Sequence, residues 1–205
     1  MSSPAETTTA STANRRERKR LQVHDTLYRH ALDLFLEHGF EATTMDKIAD
    51  VADVARGTVF NHYPQKVAFL EEWGRRRRAA VERILSAENV EALPASEQLR
   101  HYLREMALLN TASRQETVTL MDASVRFGGL LRDPALDVEL TKVVEDGRRA
   151  GDLRDDVDPA QVGSLLAAGY FAAVLQWINV EPAPFDLAAY LDRMLDIVLR
   201  GVLAT

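Results

Sequence analysis

The sequence predicts an all-α protein, and three observations carry that prediction. Apolar residues return every three or four positions in block after block, as on the buried face of a helix. Proline and glycine separate the blocks, and the sequence lacks the period-two runs of β-branched residues that strands require. Hydrophobic residues make up 46% of 205, enough to bury a core in one or two domains.

Nine helices follow in order. Residues 1–14, MSSPAETTTASTAN, are rich in Ser, Thr and Ala without periodicity and read as a disordered tail. They also lack the apolar stretch of a secretory signal. A first helix is expected from about Arg16 to His38, with Val23, Leu27, Ala31, Leu34 and Phe35 on one face and Gly39 as its stop. Thr43 or Thr44 caps a second, with Asp46 favouring the dipole and Met45, Ile48, Ala49 and Ala52 turned inward. After a turn at Asp53-Val54, a third spans Arg56 to Tyr63 with Val59 and Tyr63 facing in. Pro64 ends it, because a residue before proline is pushed out of the α region.

The fourth helix is expected from Lys66 to about Ala87. The fifth runs from Ser96 to Leu109 after the break at Leu93-Pro94, and the sixth from Arg114 to Phe127, ending at Gly128-Gly129. Asp133-Pro134 opens the seventh, which Gly151 stops after Ala150. Asp158-Pro159 opens the eighth, ending near Val180, and the ninth runs from Asp186 to Leu203. The eighth is apolar nearly all round and kept slim by Gly163, Ala167, Ala168, Ala172 and Ala173. The ninth carries Leu187, Leu191, Met194, Leu195, Val198 and Val202 in a stripe, with Tyr190 and Ile197 off it. Together they exceed the needs of one core, which predicts a four-helix bundle between two copies through 159–180 and 186–203.

Several function classes fall away. Without cysteine there are no disulfides, thiolate metal sites or thiol redox chemistry. No segment reaches the roughly 20 clean apolar residues needed to span a bilayer. Val162–Ile178 comes closest, but Ser164, Gln176 and its small residues suit a buried helix, so a cytoplasmic protein with no membrane partner is expected. There is no His-x-x-x-His or Glu-x-x-His pair, no nucleophile elbow and no phosphate loop, so no metal, cofactor or catalytic residue is assigned.

A net charge of −6 argues at first against nucleic acid, but its distribution matters more. Arg15, Arg16, Arg18, Lys19 and Arg20 surround Glu17, as a minor-groove arm or as a solvated helix start. Residues 21–66 hold four basic against seven acidic groups, so any DNA affinity must come from a few placed cations. The run Arg75–Arg78 points in four directions on a helix and predicts interhelical ion pairs and a solvated face.

Residues 43–66, TTMDKIADVADVARGTVFNHYPQK, read as a helix-turn-helix, whose second helix lies in the major groove. With Val59 and Tyr63 turned in, that helix offers Arg56, Gly57, Thr58, Phe60, Asn61 and His62. Arg56 can fork onto guanine, Asn61 pair with adenine and Phe60 press a thymine methyl, while Gly57 lets the backbone approach. Thr44 and Lys66 are placed at helix N-termini suited to phosphates. Tyr63 and the Arg15–Arg20 cluster complete the DNA-facing set.

Leu34-Phe35, Gly39-Phe40, Thr43-Thr44, Ile48-Ala49, Ala52, Val54, Gly57-Thr58-Val59-Phe60, His62-Tyr63 and Lys66 together resemble the N-terminal domain of the TetR family of transcriptional regulators. The likeness covers about Leu27 to Leu70. It implies a helix-turn-helix domain over 15–66 and a ligand-binding and dimerisation domain over 67–205. It further implies a homodimer on a pseudo-palindromic double-stranded operator, and repression relieved by a small molecule. Trp73, His101, Leu103, Met106, Met121, Val125, Phe127, Phe171, Val174 and Trp177 are the candidate ligand contacts, on helices that enclose pockets in that family. Few charges fall on the inferred inner faces, which favours a mainly apolar effector. The chain departs from the pattern at Asp53, where glycine is usual, at Ala55 and Gln65, which are poor caps, and at His30. Two rival readings are a helical protein-interaction module and an all-α enzyme working in the C-terminal cavity.

Overall fold

Gly39 and Thr43 show how the sequence closes its first turn. Gly39 adopts φ 83, beyond the reach of most side chains, and its N–H donates to Phe35 O at 2.9 Å to end the helix. The buried Thr43 hydroxyl then donates to Gly39 O at 2.9 Å. The computed structural model describes residues 4–128 and 135–202. Its helices are α1 (Pro4–His38), α2 (Met45–Val51), α3 (Arg56–His62), α4 (Ala68–Ala87), α5 (Ala95–Ala112), α6 (Arg114–Phe127), α7 (Ala135–Ala150), α8 (Pro159–Ile178) and α9 (Leu187–Val202), with a 3₁₀ turn at Val90–Ala92. Among the described residues there is no strand, as expected. The chain forms two compact units, Met1–Phe69 and Leu70–Thr205.

In the first unit Leu27, Ala31, Leu34 and Phe35 of α1 are buried, as are Ile48 and Ala49 of α2 and Val59 of α3. Phe35 lies 5.0 Å from Phe40 and 6.0 Å from Phe69, ring to ring, so aromatic packing closes one end. α1 starts at Pro4 rather than near Arg16. Proline suits a first helical position because that N–H has no partner in any helix, and neither glycine nor a second proline follows before Gly39. Residues 1–3 lie outside the described part.

The second unit packs α7 on α8, α5 on α9 and α8 on α9. The small residues of α8 act as expected: a Cβ at Gly163 would collide with Thr141 of α7, and one at Gly169 with the Met194 sulfur of α9. Asp158 caps α8 through Ala160 N at 3.0 Å, with Pro159 in its first turn. By length and composition α8 is apolar enough to cross a membrane, contrary to the sequence reading, but 56% of that stretch is buried in the unit, as in a core helix. The boundary differences are small. α4 begins at Ala68 instead of Lys66, α5 continues to Ala112, and α8 stops at Ile178. The expected signals at Gly129, Asp133-Pro134 and Leu203 fall outside the described residues.

Candidate nucleic-acid interface and ligand cavity

Thr44, in extended backbone, caps α2 by accepting the Lys47 N–H at 3.1 Å. The turn then needs one left-handed residue, and Asp53 supplies it at φ 51. Asp tolerates that region better than most residues, so the missing glycine is absorbed without loss of the turn. Val54 N donates to Ala49 O at 3.1 Å, tying the turn to α2. Ala55 gives α3 no side-chain cap, as its sequence implies.

Two buried side chains therefore hold α3 in place. Val59 is fully buried, and Tyr63 stacks on Phe69 at 3.8 Å and on His24 at 4.5 Å, its hydroxyl 3.2 Å from His24 Nδ1. Arg56, Gly57, Phe60 and Asn61 are exposed on the opposite face, with Thr58 and His62 half-buried. Tyr63, grouped with the DNA-facing residues in the sequence, is 2% exposed and anchors the helix from behind. Arg56 Nε lies 3.0 Å from Asp46 Oδ1, and its guanidinium sits 5.4 Å from the Phe60 ring centroid. Burial, with the Arg20 guanidinium adding to it, holds the His62 imidazole below its ordinary range, so it adds no cation at neutral pH.

Lys66 is where the sequence reading is corrected. It precedes α4, which begins at Ala68, instead of opening it. Its ammonium donates to Phe40 O (2.6 Å), Glu41 O (3.1 Å) and Thr43 O (2.8 Å), which uses all three hydrogens, and it lies 4.5 Å from the Phe40 ring centroid. Lys66 is thus a latch on the α1–α2 turn, and the phosphate-contact expectation does not fit its geometry. Arg15, Arg16, Arg18, Lys19 and Arg20 are exposed along α1, on a helix and not an extended arm, with Arg20 paired to Glu17 at 2.8 Å.

In the second unit a cavity is lined by Leu70, Trp73, Gly74, Arg77 and Arg78 of α4, Met106 of α5, Met121 and Ser124 of α6, Leu136 of α7, and Tyr170 and Phe171 of α8. Four of the ten expected ligand residues meet there: Trp73, Met106, Met121 and Phe171. Leu103 and His101 line a different, open cleft beside Arg100 and Asp192, with His101 Nδ1 3.8 Å from Glu88. Phe127 is 40% exposed, and Val125 is half-buried outside the cavity wall. Val174 and Trp177 are buried as core, Trp177 beneath Arg114 at 4.2 Å. These six lie outside this cavity, because helical spacing identifies a buried face without saying what it faces.

The wall is also less apolar than expected. Arg77 and Arg78 were hidden in the arginine run, yet Leu70, Trp73, Gly74, Arg77 and Arg78 share one helical stripe, the signal that would have found them. The expected interhelical ion pairs form at two of the four arginines, Arg77 with Glu116 at 3.4 Å and Arg78 with Glu139 at 2.8 Å, whereas Arg75 and Arg76 pair within α4 with Glu72 at 2.6 Å. Beneath them the buried Asn110 accepts from Arg77 (3.1 Å) and donates to Tyr170 OH (2.8 Å). Tyr102 donates to Glu139, and burial, with that carboxylate, raises its hydroxyl far above the ordinary tyrosine range.

Comparison with known proteins bears on both regions. Residues 27–73 match the model for bacterial regulatory proteins, tetR family. The HTH-type transcriptional regulator TcmR of Streptomyces glaucescens is 41% identical over 68 residues, 30% of each chain. The HTH-type transcriptional repressor DhaR of Mycobacterium sp. (strain GP1) is 24% identical over 199 residues, covering 90% of this chain and 94% of that one. Thermus thermophilus FadR, a TetR-family transcriptional repressor solved in complex with lauroyl-CoA, is 29% identical with a TM-score of 0.73, over 89% of this chain and 96% of that one. These relatives are regulators, which sets the enzyme reading aside. Over residues 27–73 the chain thus matches the tetR family of bacterial regulatory proteins, and over most of its length it is similar to transcriptional repressors.

Proposed function

We propose that the protein is a homodimeric, ligand-responsive repressor acting on DNA in the cytoplasm. The observation that carries this reading is the division of α3 into two faces. Val59 and, just beyond the helix, Tyr63 fix its back, while Arg56, Gly57, Phe60 and Asn61 stand in solvent. A short helix with hydrogen-bonding groups on its free face and a rigid rear suits major-groove readout. Arg56 and Asn61 read bases, Phe60 supplies an apolar contact, and Thr44, Thr58 and His62 meet the backbone through neutral hydrogen bonds. The exposed cations of α1 add salt-dependent affinity.

Dimerisation through α8 and α9 is supported by the apolar groups these helices leave in solvent. Leu165 is 58% and Ile197 73% exposed, beside the exposed Ala168 and Ala172. A second copy covers that face and brings two α3 helices to one pseudo-palindromic operator. A small molecule in the α4–α8 cavity selects a conformer in which α4 shifts and the two readers leave groove register. FadR, solved in complex with lauroyl-CoA, supports a small-molecule ligand for this chain as well.

A gel shift on the gene's own upstream region tests the reading. Retardation at low salt with protection of a symmetric site is expected. Absence of any shift would favour the rival, a module whose helix-turn-helix binds a protein partner.

A further inference from the structure

The cavity wall holds two guanidinium groups, Arg77 and Arg78, and no carboxylate. Their counter-charges, Glu116 and Glu139, stand outside the wall, and each also accepts a second donor, Trp73 Nε1 and Tyr102 OH respectively. The acids are thus shared and lie outside the wall, while both arginines belong to it. Arg77 gives its terminal nitrogens to Ser113 Oγ (3.0 Å) and Asn110 Oδ1 (3.1 Å), but its Nε–H is buried with no partner among the described residues. Native interiors rarely leave a donor in that state, and here it lies on a residue of a cavity wall. The Tyr170 hydroxyl accepts from Asn110, which leaves its own hydrogen to be donated.

Against these donors stand Trp73, Met106, Met121, Leu136 and Phe171. We infer that the cavity takes an anionic amphiphile, its carboxylate or phosphate head held by Arg77 and Arg78 and its apolar body against the methionines and aromatics. This inference rests on the reading of the C-terminal unit as an effector domain and names the effector's class. Arginine forks match either anion bidentately, so the geometry specifies the charge and not its source. The cavity is small, about 40 Å³, room for a few waters. Met106 and Met121 are the yielding walls, because an unbranched thioether changes rotamer at little cost.

The test titrates the full chain with decanoate, decyl phosphate, decanol and decyltrimethylammonium, each below its micelle concentration. Thermal stability and the fluorescence of Trp73 are read, since a ligand of the folded state raises stability. One anion at least is expected to bind ~10-fold or more tightly than decanol, and the better anion identifies the source of the head group. Arg77→Met combined with Glu116→Gln, which removes both charges together, should lower anion affinity by about 10-fold and leave decanol binding unchanged. Decanol binding as tightly as both anions, or preferred binding of the cation, overturns the anionic head while the cavity reading stands. No binding by any of the four removes the cavity reading, and this inference with it.

Discussion

The Lys66 ammonium donates to the Phe40 carbonyl at 2.6 Å, and with Glu41 and Thr43 that carbonyl forms a cradle which consumes the whole cation. Breaking it leaves three carbonyls without this donor. Lys66→Met should destabilise the N-terminal unit by about 2 kcal/mol, read by urea denaturation. The salt dependence of DNA binding separates a latch from a phosphate contact. Loss of a phosphate contact lowers the slope by about one ion, whereas loss of the latch leaves it unchanged. An unaltered midpoint with a reduced slope would restore Lys66 to the DNA.

Arg56 and Asn61 are assigned to bases, so their loss should be selective. Asn61→Ala and Arg56→Ala are each expected to cost about 1–3 kcal/mol on the preferred operator and to flatten preference at one base pair. Asp46→Asn releases Arg56 from an exposed ion pair and should tighten binding by under about 1 kcal/mol. Fluorescence anisotropy on single-base operator variants distinguishes these effects, and equal losses on every sequence would dismiss base readout.

Ala55 provides no side-chain acceptor for the first N–H groups of α3. Ala55→Ser should therefore raise stability by about 1 kcal/mol. A thermal midpoint that does not move would mean that Val59 and Tyr63 packing leaves the cap nothing to add.

His62 sets an acid limit. Its folded pKa is lowered, by burial first and by Arg20 second, so below the unfolded value of about 6.5 the unfolded chain takes up a proton that the folded chain resists. Stability from this residue is present above that value and declines as pH falls through it. Denaturation midpoints should drop less between pH 7 and pH 5.5 in His62→Gln than in the parent. Parallel curves would place the acid sensitivity elsewhere.

Ile197 on α9 and Val138 on α7 are similarly exposed, at 73% and 70%, yet only the first lies on the proposed interface. Ile197→Glu should yield monomers in sedimentation and weaken operator binding, while Val138→Glu should remain dimeric. Identical behaviour of the two variants would exclude α9 as the contact.

The helices were legible because local chemistry marks their ends: Gly39 in left-handed backbone, Thr44 as a cap, Asp158-Pro159 at the start of α8. The two faces of α3 were legible too, since Val59 is the apolar position that is buried. Partner choice was not. Lys66 looked like a phosphate ligand by its place after a helix-turn-helix, but its long stem folds back onto carbonyls 23 to 26 residues earlier. The cavity was half seen, because Trp73 and Met106 announce themselves by type whereas Arg77 and Arg78 pass for surface charge until the stripe from Leu70 is drawn.

The central claim is that α3 reads DNA as one half of a symmetric pair. Selection of bound sites from a random duplex pool by the full-length protein tests it most directly. An inverted repeat with half-sites about one helical turn apart is expected, and Asn61→Ala should erase one base preference in both halves. Enrichment of no sequence, or of a single half-site unaffected by Asn61→Ala, would contradict the account.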